Sequence, residues 1–194
     1  MAQLDRNHYA DRMADPPPPT LRSHAPFIVT AELPSAVFAW ANDLRRTHFP
    51  PERNNLAAHV TLFHALAPSL RAELPRELAR LAGEYAQPEA EIDGLMDLGG
   101  GTALFIRSSG MQGIRGELAE LFFTMLTAQD RGKKKLHITV QNKVDRAAAK
   151  ALQAQLEATT FARRFAFTGL GLHIYRDPYW ETVGVWKFRG QHHA

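Results

Sequence analysis

Apolar and polar positions alternate at one period in some stretches of this chain and at another in the rest. Residues 27–33 (Phe-Ile-Val-Thr-Ala-Glu-Leu) form a short apolar run that switches to alternation at Thr30 and Glu32, the pattern of a strand. Pro34-Ser35 then opens a helix in which Val37, Trp40, Ala41 and Leu44 recur at helical spacing, a stripe expected to face the core. A second strand is predicted around Ala58–Leu62, and a helix at about 75–85 with Leu74, Leu78, Leu81 and Tyr85 on one face. Strands over 90–98 and 102–107 come next, joined by Gly99-Gly100-Gly101 as a hairpin turn.

The remaining pattern repeats this one in outline. A helix at about 111–128 carries an inward stripe of Ile114, Leu118, Leu121, Phe122 and Met125. A strand at 136–140 comes after it. Asp145 is the predicted N-cap of a helix with Ala149, Leu152 and Leu156 inward, and two closing strands are predicted at 164–175 and 180–188, separated by Arg176-Asp177-Pro178. Each half therefore reads strand, helix, strand, hairpin, strand, with Gly94 and Gly169 at similar offsets from two matching motifs. The expected fold class is α+β, with two pseudo-twofold-related lobes. Each is an antiparallel sheet with outer helices, and a groove lies between them.

Outside this repeat the chain is polar. Residues 1–25 end in Pro16-Pro17-Pro18-Pro19 and are expected to be a disordered leader; residues 26–190 form one bilobal domain and 191–194 a frayed tail. A length of 194 residues is enough to bury a core. With no cysteine, a disulfide framework and a thiolate zinc site are both excluded. The net charge of +3 is too small for a chain built to coat nucleic acid. No apolar run has the length of a membrane span, so a cytoplasmic monomer that binds no membrane is expected.

The chemistry concentrates in the two matching motifs, His59-Val60-Thr61-Leu62 and His137-Ile138-Thr139-Val140. On a strand, residues two apart share a face, so each His and Thr point together while the residues between them point to the core. Two imidazoles near one phosphorus could exchange protons as acid and base, and the Thr hydroxyls could bind nonbridging oxygens. By the same parity Phe63 falls on the His59 face, as a candidate for stacking on a base. Lys135, Gln141 and Lys143 fall on the His137 face. His173 and Tyr175 are candidates for the groove wall, whereas His64 points away.

The paired motifs and duplicated order resemble the 2H phosphoesterase superfamily, and within it the bacterial RNA 2′,3′-cyclic phosphodiesterase or 2′-5′ RNA ligase-like group, from about Phe27 onward. The resemblance implies opening of 2′,3′-cyclic phosphates on RNA ends or nucleotides, usually to 2′-phosphates, with no metal or other cofactor. It also implies a minor 2′-5′ ligase activity. His137 is expected to activate water and His59 to protonate the leaving oxygen. Many members carry an Arg shortly after a motif; here the motifs run on as Phe63-His64 and Gln141-Asn142-Lys143. Two other classes fit less well: a catalytically silent RNA- or nucleotide-binding module on the same scaffold, and a metal-dependent hydrolase, which has no H-E-x-x-H spacing to support it.

Overall fold

A computed structural model describes residues 25–132, 134–158 and 162–191, so the leader to residue 24 and the tail from residue 192 lie outside it. The chain runs β1 (Phe27–Glu32), α1 (Ser35–His48), β2 (Val60–Leu66), α2 (Glu73–Glu84), β3 (Glu89–Asp97), β4 (Gly101–Arg107), α3 (Ser109–Leu121), β5 (Leu136–Asn142), α4 (Arg146–Ala158), β6 (Arg163–Ala166), β7 (Gly169–Tyr175) and β8 (Trp180–Lys187). Every strand pairing is antiparallel, and the strands form two four-stranded sheets. The first has the order β2-β1-β7-β8 and the second β5-β4-β3-β6.

Local chemistry explains most boundaries. Ser108 caps α3 by accepting the Met111 amide at 3.3 Å, and Asp145 caps α4 by accepting the Ala148 amide at 2.8 Å. Gly99 takes a φ of 81° in the β3–β4 turn, a conformation that suits glycine. The apolar stripes of α1 and α2 face inward as expected, with Val37, Ala41, Leu74, Leu78 and Leu81 all buried.

Two expectations are corrected. The helix predicted to reach 128 ends at Leu121, and a short 3-10 turn succeeds it over Phe123–Met125. The stripe therefore breaks: Ile114, Leu118 and Phe122 are buried, but Leu121 and Met125 are exposed. The single strand predicted at 164–175 is two strands in different sheets. At the break, the Phe167 amide donates to the Pro88 carbonyl and the Thr168 amide to the Glu32 carbonyl, so the backbone crosses from the second sheet to the first.

That crossing reveals how the halves of the sequence relate to the lobes. The β3–β4 hairpin, from the first half, completes the sheet that holds the second motif; β7 and β8, from the second half, complete the sheet that holds the first. The halves exchange strands, and neither lobe is built from one half alone. The edge strands β2 and β5 touch, which brings the two motifs to a common groove.

Candidate active site

His59 stands just before β2 and His137 is the second residue of β5. Each ring is tied down in the same way. Nδ1 of His59 donates to the Ala57 carbonyl at 2.8 Å, and Nδ1 of His137 donates to the Lys135 carbonyl at 2.9 Å. A carbonyl oxygen can only accept, so both Nδ1 atoms carry hydrogen and proton exchange is left to both Nε2 atoms. The rings are close enough for charge on His137 to disfavour charge on His59. Burial is the larger effect. Together with the charge of Arg45 it pushes His59 down to about 4, against the opposing pull of the Ala57 carbonyl.

Thr61 and Thr139 lie on the same faces, half-buried, and among the described residues their hydroxyls engage no protein partner. Register extends a polar track across the first sheet: Thr61 lies opposite Thr30, and Thr30 opposite Gly171. His173 bonds Thr30 Oγ1 through Nε2 at 2.9 Å and Thr182 Oγ1 through Nδ1 at 3.1 Å, while Thr30 donates to Glu32 at 2.9 Å. Burial holds His173 below the usual imidazole range. Gly171 makes room for this chain, because a Cβ there would stand 2.4 Å from both Glu32 Oε1 and Thr30 Oγ1. Trp180 joins the two histidines, its ring centroid 4.6 Å from that of His59 and 5.5 Å from that of His173.

The second sheet presents a different wall. Phe105 pairs with His137 across β4 and β5, which puts the two side chains on one face, and Lys135 Nζ lies 5.9 Å from the Phe105 ring. Tyr175 is exposed opposite Trp180 in the β7–β8 ladder and donates to Asp177, a bond that raises its phenol pKa.

Three proposed contacts are not delivered. Phe63 is fully buried with the Arg115 guanidinium 4.8 Å from its ring, and Gln141 is buried as well. The cause is shared: a register slip leaves Leu62 unmatched between Thr61 and Phe63, and another leaves Val140 unmatched between Thr139 and Gln141. These are β-bulges, and beyond each one the alternation of faces inverts. Lys143 lies past the far end of β5, in a left-handed turn with φ 61° and about 20 Å from His137 at strand rise. His64, expected to point away from the groove, stands beyond the same bulge on the side of the strand opposite buried Phe63, and its Nδ1 meets buried Asp130 at 3.0 Å. Burial alone would raise the Asp130 carboxyl, but hydrogen bonds from His64 and from the backbone amides of Ala65 and His64 outweigh it and hold it low.

Two arginines not anticipated from the sequence fasten the motifs from behind. Arg45 of α1 is buried and donates to the Thr139 carbonyl at 2.6 Å, the Leu56 carbonyl at 2.9 Å and Asn54 Oδ1 at 2.8 Å. Desolvation lowers it to about 10, so it stays charged at neutral pH. Arg115 of α3 donates to the Leu62 carbonyl at 3.1 Å and the Asp130 carbonyl at 2.7 Å. Each helix thus supports the motif strand that the other half of the chain supplies. Both arginines lie on the buried faces of their helices, Arg45 four residues after Ala41 and Arg115 three before Leu118, so a charge placed on an apolar stripe was the signal that could have found them. Trp180, Thr30 and Thr182 were legible only as strand residues.

A family profile described as the 2′-5′ RNA ligase superfamily matches residues 33–178, a span that contains both His-x-Thr motifs. This chain belongs to that superfamily. Membership in the 2′-5′ RNA ligase superfamily, the 2H phosphoesterases, makes it an enzyme of the phosphodiesterase type. Solved structures share the fold at low identity. TT0787 of Thermus thermophilus is 16% identical with a TM-score of 0.59, covering 86% of this chain and 100% of its own. LigT of E. coli complexed with 3′-AMP is 19% identical with a TM-score of 0.55, covering 84% and 98%. A structure described as a phosphoesterase is 20% identical with a TM-score of 0.53, covering 86% and 99%. Curated proteins give no match. No helix among the described residues is long and apolar enough to cross a membrane, and no group of three or more His, Asp or Glu among them could hold a metal ion.

Proposed function

We propose that this superfamily member hydrolyses 2′,3′-cyclic phosphate ends of RNA or related nucleotides to 2′-phosphates, without a metal, by acid–base catalysis at His59 and His137. The observation that carries the reading is the matched anchoring of the two rings, each with Nδ1 on the carbonyl two residues upstream and Nε2 left for proton exchange. His137 Nε2 takes a proton from water as the water oxygen attacks phosphorus. His59 Nε2 gives a proton to the 3′ oxygen as the P–O3′ bond breaks. Free His59 is neutral near neutral pH, so it takes up its proton from solvent as the substrate binds: the phosphate's negative charge favours the imidazolium, and a proton held against burial is given up readily. Thr61 and Thr139 donate to the nonbridging oxygens, which gain charge in the transition state. With an RNA 5′-hydroxyl attacking phosphorus in place of water as the P–O3′ bond breaks, the same groups would form a 2′-5′ linkage as a minor activity. The complex of fold relative LigT with 3′-AMP supports a nucleotide as the ligand.

His59→Ala and His137→Ala are each expected to fold and to lower turnover of a nucleoside 2′,3′-cyclic phosphate by about a hundredfold or more. Activity is expected to survive EDTA. Wild-type rates in either folded variant would overturn the mechanism.

A further inference from the structure

A cavity of about 850 Å³ opens between α3, the end of β4 and the segment that leads into β5. It adjoins the candidate active site without containing either motif histidine. Two of its lining residues make the join: Phe105, the cross-strand neighbour of His137, and Lys135, whose carbonyl anchors that ring. Its lining includes five cations but only one carboxylate, Glu120. Three of the cations are engaged, Arg107 with Asp93, and Arg115 and Arg131 with backbone carbonyls. Arg131, Lys134 and Lys135 have no carboxylate partner among the described residues. Phe123, 60% exposed on the short turn after α3, offers its ring at the rim with the Arg131 guanidinium 5.8 Å away.

Unpaired cations beside an exposed aromatic ring are the chemistry that holds a single-stranded nucleic acid, the cations meeting phosphates and the ring a base. Neither motif histidine lines the cavity, so a phosphate held between His59 and His137 leaves room there for chain beyond the reacting nucleotide. We propose that the cavity is a subsite for the RNA chain that leads to the cyclic phosphate, so that the preferred substrate is an oligonucleotide end and not a free cyclic mononucleotide. This rests on the reading of the site given above.

The test has two arms. In the first, binding of a fluorescent oligoribonucleotide that ends in a 3′-phosphate is monitored by anisotropy across salt concentrations, for the wild type, Lys134→Glu and Phe123→Ala. Both side chains lie outside the motifs, so turnover of a nucleoside 2′,3′-cyclic phosphate should be unchanged in both variants. Each variant is expected to weaken oligomer binding by about tenfold. The neutral control Lys134→Gln should reduce the log–log salt slope by about 0.7. In the second arm, kcat/KM is compared for the cyclic mononucleotide and for an oligomer with the same cyclic end. The wild type should prefer the oligomer, and the variants should lose that preference. Oligomer affinity that neither variant changes would overturn the subsite, as would a polyglutamate peptide that competes as well as RNA and ignores Phe123→Ala. Variant-sensitive RNA binding with no turnover of any cyclic phosphate would uphold the subsite and overturn the hydrolytic reading.

Discussion

His59 is the residue on which the electrostatics of the groove converge. Burial, Arg45, His137 and His173 all disfavour its charged form. An NMR titration of the free protein should place it near 4, and a bound nucleoside monophosphate should move it upward, because an anion stabilises the imidazolium. The same shift links to stability. Between about 6.5 and 4 the unfolded chain binds a proton that folded His59 refuses, so acid should destabilise the fold through this window, and His59→Ala should remove that part of the slope. Phe63 supplies a contrasting case. As a core residue, its replacement by Ala should cost about 3–5 kcal/mol in urea unfolding. KM should be little changed in protein that remains folded, whereas a base-stacking ring would raise KM with little loss of stability. The motif residues were legible because chemistry and parity coincide at His59, Thr61, His137 and Thr139. Phe63 and Gln141 were not, because parity holds only while pairing is regular.

At the scale of elements, helix and strand periods identified nearly every segment, and the exceptions have local causes. The predicted helix to 128 stopped early because backbone geometry changes at Phe122, whose φ of −106° and ψ of 20° lead into the 3-10 turn although the apolar residues continue. No period marks the Phe167–Thr168 crossing, since only partners distant in sequence, Pro88 and Glu32, define it. Arg45 acts at this scale too, as the link from α1 to β5. Arg45→Met would leave the Thr139 and Leu56 carbonyls without their donor, at roughly 1–3 kcal/mol for each buried group, so a loss of about 3 kcal/mol is expected in denaturant unfolding. Arg45→Lys should recover part of it, because an ammonium cannot span both carbonyls as a planar guanidinium does.

For the whole molecule, the return of β7 and β8 to the sheet begun by β1 and β2 means that cutting the chain between α2 and β3 keeps the second sheet in one piece but divides the first between both fragments. Unfolding should therefore be one cooperative event, with tryptophan fluorescence and far-UV circular dichroism giving coincident transitions; two separated transitions would show lobes of independent stability. The duplicated order of elements was legible from the sequence, but the exchange was not, because strand order within a sheet is not written in local patterns. The paired bulges carry a last consequence. Each is a one-residue slip in the phase of its strand, and it falls directly after the threonine of the motif. Upstream of the slip, alternate positions answer to the phosphate chemistry; downstream, the positions that would have continued that series answer to packing. Deleting Leu62 or Val140 would make the ladder regular yet leave Phe63 and Gln141 opposite Val29 and Thr102 on the faces they hold now, so the length of each motif is set by where its strand loses count.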